Sequence, residues 1–278
     1  MKLKRSGRLV DLTRYLLQHP HQLISLSFFS ERYGAAKSSI SEDLLIIKEN
    51  FEGQGAGWLV TVPGAAGGVR YIPRVSEQEA REVIEELKEL LSSSERVLPG
   101  GYLYMTDIIG NPSIIDKVGR MFASVFSGRN IDVVMTVATK GIPLAYAIAS
   151  YLNVPVVIVR SNSRVTEGST MSINYVSGST KRIQTMALAK RSLQSGSNVL
   201  IVDDFMKAGG TIKGMMDLLQ EFEANMVGIG VLVESEEVQE RLVDDYISVA
   251  RLSHVDTREK KIQVEAGNYL DRMEDDQS

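Results

Sequence analysis

Apolar positions in the first 74 residues recur at helical spacing and then switch to alternation. Leu9, Leu12 and Leu16 fall three and four apart, one face of a short helix ending at His19-Pro20. Leu26, Phe29 and Tyr33 repeat the spacing, and Gly34 follows where a helix would stop. Ile40, Leu44, Ile47 and Phe51 mark a third helix. Ser38 or Ser39 is its expected N-cap, with Glu42 three residues after Ser39 completing a capping box. Beyond Gly53–Gly57 the period becomes two. Leu59 and Thr61, then Val69 and Tyr71, flank PGAAGG at 63–68, which predicts a hairpin with a glycine-rich tip. Three helices followed by a hairpin is the order of a winged helix-turn-helix, here residues 1–74.

Residues 75–278 read as a second domain. Ala80, Ile84, Leu87 and Leu91 predict a linker helix with Ser76 as cap, and LPGG at 98–101 punctuates the chain. Buried runs then alternate with helices. Ile131–Val137, Val154–Val159, Val199–Val202 and Met226–Val233 read as strands, with helices over 142–152 and 212–223. This is the pattern of an α/β doubly wound parallel sheet. Ligands of such sheets sit beyond the carboxyl ends of the strands, which directs attention to 138–141, 160–181 and 203–211.

Charge separates the two domains. Residues 1–74 carry ten Lys and Arg against six Asp and Glu, whereas 75–278 carry 21 against 29. A basic module joined to an acidic one points to nucleic acid as a partner of the first. The third helix of a winged helix presents its first turns to base edges. Here those turns offer Lys37, Ser38, Ser39 and Ser41, while Arg5, Arg8, Arg32, Lys48 and Arg70 are placed to meet phosphates. A helical oligomerisation or protein-binding module with a charged surface is the competing reading of the same residues. The absence of cysteine excludes disulfide scaffolds, thiolate metal sites and cysteine nucleophiles. His19, His21 and His254 lack metal-ligand spacing. Nowhere do about 18 apolar residues run together, so no membrane partner is expected, and a cytoplasmic location is. Gly228-Ile-Gly230 lacks the third glycine of a dinucleotide fingerprint and falls inside a predicted strand.

The stretch most informative about chemistry is VLIVDDFMKAGGT, 199–211. Four apolar residues form a strand, two carboxylates follow, and a glycine-containing loop leads into a helix. Backbone N–H groups at the loop and helix start suit a phosphate. Gly209 and Gly210 permit close approach. Asp203 and Asp204 suit sugar hydroxyls as acceptors. The composite is a ribose-phosphate cradle, and it lacks the GK[ST] of a Walker A loop.

This motif resembles the phosphoribosyl pyrophosphate (PRPP) signature of type I phosphoribosyltransferases. ATKG at 138–141 is similar to that family's pyrophosphate loop, and VVIVR at 156–160 to its strand ending in a basic pyrophosphate contact. Taken with KSSISEDL, TVATKGIPLA and VTEGSTMSINYVSG, the whole chain resembles the pur operon repressors of Gram-positive bacteria. The resemblance implies a homodimeric repressor of purine biosynthesis that binds operator double-stranded DNA. It also implies a phosphoribosyltransferase-like domain that senses PRPP, with Mg²⁺ on its pyrophosphate, and no longer catalyses transfer. It places Asp203 and Asp204 on the ribose and Lys207, Ala208, Gly209, Gly210 and Thr211 on the 5′-phosphate. Ala138, Thr139, Lys140, Gly141 and Arg160 fall on the pyrophosphate. Lys207 stands where the hypoxanthine-guanine enzymes carry an aspartate acting on the purine, and a protonated lysine is a poor base. Residues 161–180, with ten hydroxyl side chains, resemble the hairpin that closes over PRPP. Tyr102 falls where the purine enzymes have a hood, so Tyr102 and Phe205 are expected to stack on a base, which would let guanosine tetraphosphate compete with PRPP. A working purine phosphoribosyltransferase with an accessory nucleic-acid domain is the alternative.

Overall fold

The computed structural model describes residues 3–64, 66–98, 102–161, 168–176, 183–236, 240–256 and 261–275. Two compact units divide in sequence between Ser76 and Glu77. The first contains α1 (Arg5–Gln18), α2 (Leu26–Tyr33), α3 (Lys37–Gly53), β1 (Gly57–Val62) and β2 (Gly68–Pro73). The residues with helical spacing are those that fill its core. Leu12, Leu16, Phe29, Tyr33, Ile40, Leu44, Ile47 and Phe51 pack with Leu59, Val69 and Tyr71 of the hairpin. Ile24 bridges to Val69 and gives the wing a one-residue third strand. Gly68 permits that approach, since a Cβ there would lie 2.2 Å from the Ile24 carbonyl oxygen. Gly34 ends α2 in the left-handed conformation, φ 58°.

The start of α3 differs from the expected capping box. Ala36 is its N-cap, with no side-chain hydrogen bond, and Ser38 and Ser39 lie inside the first turn. The preceding turn explains the shift. The Ala35 amide donates to the Ser30 carbonyl at 3.2 Å, and the Ser30 hydroxyl donates to the Ala35 carbonyl at 2.6 Å. So closed, the turn returns the chain to helical geometry before either serine is reached.

Asp43 breaks the polarity pattern of α3. Its side chain is fully buried, and it accepts from Arg8 Nε at 2.5 Å and Arg5 Nε at 3.1 Å, tying α1 to α3. A second carboxylate, Asp11, joins α1 to α2 by accepting from Arg14, Arg32 and Tyr33. These donors, Arg14 first, hold the Asp11 carboxyl down at about 2.

The second unit contains α4 (Glu77–Leu91), β3 (Val97–Leu98), β4 (Tyr102–Leu103), α5 (Thr106–Ile109), α6 (Pro112–Val125), β5 (Val133–Val137), α7 (Gly141–Leu152) and β6 (Val156–Val159). There follow β7 (Thr170–Val176), β8 (Ile183–Ala189), β9 (Asn198–Met206), α8 (Gly210–Glu221), β10 (Asn225–Ser235), β11 (Ile247–Asp256), β12 (Lys261–Ala266) and α9 (Tyr269–Asp275). Six strands form one sheet in the order β12-β11-β10-β9-β5-β6. The pairings are parallel except for the antiparallel edge strand β12. Strands β7 and β8 form a separate antiparallel hairpin.

One face of the sheet packs Met135, Val199, Ile201, Ile229 and Val231 against Ile212, Met215 and Leu219 of α8. On the other face, Gly228 and Gly230 admit α6. A Cβ at either would lie 2.7 Å from the Phe126 ring or 3.0 Å from the Phe122 ring. The Gly-Ile-Gly sequence is therefore a packing device. Helix α4 buries Ala80, Val83, Ile84, Leu87 and Leu91 and is pinned to α6 by Lys117–Glu86 and Arg120–Glu79. No helix among the described residues is long and apolar enough to cross a membrane.

Removing the carboxylate that Arg8 and Arg5 share leaves the largely buried Arg8 charge without its partner. Asp43→Ala is expected to lower the stability of the first unit by about 3 kcal/mol. Arg5→Ala, at an exposed position, should cost under about 1 kcal/mol. Urea unfolding of the full chain, followed by Trp58 fluorescence, checks both.

Candidate functional site

The strand order fixes where a crevice can open. From β5 the chain crosses to β6 on one side, and β9 then enters on the other, so the topological switch point lies between β5 and β9. These strands pair only from Val133↔Val199 to Met135↔Ile201. Strand β5 continues to Val137 alongside β6, and β9 continues to Met206 alongside β10. The acidic pair, expected just after a strand ending at Val202, thus lies within β9, where the ladder to β10 supports it and the ladder to β5 has ended.

Thr136, Gly141 and Asp203 meet in that gap. A Cβ on Gly141 would fall 2.2 Å from Thr136 Oγ1 and 3.7 Å from Asp203 Oδ1. Glycine at 141 lets the Ala138–Gly141 loop, whose Ala138–Thr139 peptide is cis, descend onto the strand ends. Thr136 is fully buried, and its hydroxyl has no hydrogen-bond partner. Asp203 is buried and accepts the Asp204 amide at 3.0 Å. Burial, and then the neighbouring Asp204 charge, pushes its carboxyl well above the ordinary range. Burial also raises Asp204, against the pull of Asp203 and of the Lys140 ammonium. Two desolvated carboxyls with a cation beside them suit a ligand that brings hydroxyl donors and phosphate acceptors together.

The turn after β9 supplies the phosphate-type donors. Gly209 is left-handed, φ 86°, and caps α8, which begins at Gly210 rather than the expected 212. The amides of Gly210, Thr211 and Ile212 occupy the first turn, where a helix has no internal acceptor for them. The turn is braced from behind. The Leu242 amide donates to the Ala208 carbonyl at 2.9 Å, and a Cβ on Gly209 would be 3.0 Å from Val243 Cγ2. The bracing segment is anchored by buried Glu234, which accepts from Tyr246 and Ser248 and pairs with Arg241 and Arg251. Sequence reading missed this anchor, as it missed Thr136. A carboxylate at the end of an apolar strand was the available signal.

Lys140 and Thr139 are exposed, and Lys207, Ala208 and Phe205 are half-buried at the same edge. Arg160 follows β6, and its backbone exchanges hydrogen bonds with Ala187 at 3.0 and 2.7 Å. The stretch expected as a closing hairpin, 161–180, supplies only the first strand of one, Thr170–Val176; its partner, Ile183–Ala189, lies beyond the expected bounds. Residues 162–167 and 177–182 lie outside the described residues. Tyr102 sits in β4 opposite Leu98, but its side chain is not among those described. A cavity of about 490 Å³ lies at the opposite, N-terminal ends of the strands, lined by Asp132, Pro155, Arg191 and Ser195, away from the carboxylates.

In the first unit Lys37, Ser38 and Ser41 are exposed on the first turns of α3, and Ser39 is half-buried. Arg5 and Arg8 are engaged by Asp43, and Arg8 is only 13% exposed, so the structure gives Arg8 a packing role instead of an outward one. Arg32 is held by Asp11. Lys48 lies 3.8 Å from Glu52. Arg70 is half-buried, with Nε lacking a hydrogen-bond partner.

Residues 4–73 match the model of the family described as bacterial purine repressor, N-terminal, and residues 105–266 that of the phosphoribosyl transferase domain. The purine biosynthesis transcriptional repressor PurR of Bacillus subtilis (strain 168) is 68% identical over 270 residues, 97% of this chain and 95% of that protein. The purine biosynthesis transcriptional activator PurR of Lactococcus lactis subsp. lactis (strain IL1403) is 48% identical over 268 residues, 96% of this chain and 99% of that one. Among solved structures, adenine phosphoribosyltransferase from Rhodothermus marinus superposes with a TM-score of 0.54 at 21% identity, over 62% of this chain and 99% of its own. That likeness concerns the fold of the second unit. With both units matched and near-complete coverage, the chain belongs to the PurR family of purine biosynthesis transcriptional regulators.

Proposed function

We propose that the chain is a DNA-binding repressor of purine biosynthesis genes whose second unit senses PRPP. The observation that carries the sensing is the gap between β5 and β9, where a buried acidic pair, a lysine and an unsatisfied helix start face one crevice. Asp203 and Asp204 take the ribose hydroxyls, Lys207 to Thr211 the 5′-phosphate, and Thr139 to Gly141 with Arg160 the pyrophosphate. Among the described residues no three His, Asp or Glu side chains converge as metal ligands, so Mg²⁺ would come on the pyrophosphate's own oxygens. Lys207 supports sensing over transfer, because it stands where the hypoxanthine-guanine enzymes, by the resemblance, carry the aspartate that acts on the purine. A purine base stacked on Phe205, and on Tyr102 as the resemblance implies, would let guanosine tetraphosphate compete.

The DNA reading rests on the exposed Lys37, Ser38 and Ser41 of α3 and on kinship with regulators, the repressor at 68% identity being nearer than the activator at 48%. Two winged helices in a homodimer would read a duplex with two half-sites. PRPP favours the unbound state, and linkage requires operator DNA to weaken PRPP by the same factor.

Footprinting of purine-gene upstream DNA, with and without PRPP, tests the whole reading. Protection should fall steeply with salt and be released by PRPP. Pyrophosphate release from PRPP and a purine base, without protection of the duplex, would replace the reading with an enzyme.

Two variants test the crevice. Burial raises the folded-state pKa of Asp203, so its ionisation at neutral pH opposes folding; below the ordinary value of 3.8 the penalty is absent in both states. Asp203→Asn should therefore raise the melting temperature at pH 7.5, with the gain closing as the pH falls towards 4, and should weaken PRPP by about 10-fold or more in calorimetry. Gly141→Ala drives a methyl into Thr136 Oγ1 and should cost about 1–3 kcal/mol. Adding Thr136→Ala to the same chain should recover most of that loss in urea titrations.

A further inference from the structure

Beneath the crevice lies a hydroxyl with nothing to bind. Thr136 stands on β5 one residue beyond the last pairing with β9, Met135↔Ile201, and still within the ladder to β6. It is fully buried, and its Oγ1 has no hydrogen-bond partner among the described residues. A buried hydroxyl without a partner is destabilising, and valine has nearly the same shape without that penalty. The other residues of the strand, Val133, Val134, Met135 and Val137, are all apolar. Folding alone gives no reason for the oxygen.

Across the gap stands a group that can use it. The point where a Cβ of Gly141 would lie is 2.2 Å from Thr136 Oγ1 and 3.7 Å from Asp203 Oδ1. The missing side chain leaves that space open to both oxygens. Asp203 is buried too, and the same Oδ1 accepts the Asp204 amide at 3.0 Å. A carboxylate offers about four lone-pair sites, so it has room for a further donor. We infer that Thr136 is a positioning residue for Asp203: when ribose hydroxyls bind from the crevice, the carboxylate settles into this space and accepts a hydrogen bond from Thr136. The inference rests on the PRPP reading and deepens it, since it names the inner donor of the ribose-binding carboxylate. The hydroxyl is idle in the empty protein and bonded in the loaded one.

Thr136→Val and Thr136→Ser test this, by calorimetry with PRPP and by thermal melting without ligand. Valine removes only the oxygen, so the empty protein should melt higher while PRPP binds about 10-fold weaker. A purely structural hydroxyl would not move the two readouts in opposite directions. Serine keeps the donor and should hold the affinity within about 2-fold of wild type. In an Asp203→Asn background, whose neutral oxygen is the weaker acceptor, the loss caused by valine should shrink to about 3-fold. A valine protein that melts lower, or that binds PRPP as tightly as wild type, overturns the inference and leaves the PRPP reading standing. So does a serine protein as weak as valine, or a valine loss undiminished beside Asp203→Asn. A wild type that binds no PRPP removes both.

Discussion

The constraint on which the second unit turns is that a carboxylate has been buried at the one place where a parallel sheet comes apart. Asp203 sits inside a strand with ladder partners on one side and none on the other. Water cannot solvate it, and its neighbour carries the same charge. A core would exclude such a group, and a surface would leave it without selectivity. Hydrogen-bond donors brought into the crevice would make its environment more favourable. The rest of the unit maintains this arrangement: α6 and α8 clamp the two faces of the sheet, and the Glu234 cluster keeps the following turn from relaxing.

The first unit handles its buried charge differently. Asp43 is satisfied from within by two arginines of another helix, so it has no need of a ligand. The same interaction withdraws Arg8 from the solvent and leaves the first turn of α3 to Lys37 and the serines. Burial of a carboxylate is thus structural in one unit and, under the sensing we propose, left for a ligand in the other. The difference lies in whether a cation reaches it within hydrogen-bonding distance.

Much of this was legible along the chain because the controlling signals are local. The period of Leu9, Leu12 and Leu16, the alternation around PGAAGG, and the Asp-Asp-x-x-x-x-Gly-Gly run need only neighbours in sequence. What stayed hidden depends on partners far apart. Arg8 reads as an outward cation until Asp43, 35 residues away, is brought beneath it. Thr136 reads as a strand residue until Gly141 closes over it. The N-cap serines were misplaced because the cap competes with a turn closed by Ser30, which no spacing rule registers. Strands β11 and β12 were passed over because their polar residues, among them Ser248, Arg251 and Ser253, interrupt the apolar run. The first two face the Glu234 network and the last a neighbouring carbonyl.

The bridge between Arg160 and Ala187 has a consequence for how such a domain can diversify. Both hydrogen bonds run through main-chain atoms, so the hairpin is moored by position 160 whatever side chain stands there. Exchanging that side chain would alter the charge presented at the sheet edge without cutting the mooring. Edge charge and mechanical attachment therefore occupy a single residue yet can drift separately, and a lineage could retune the one while keeping the same hairpin in place.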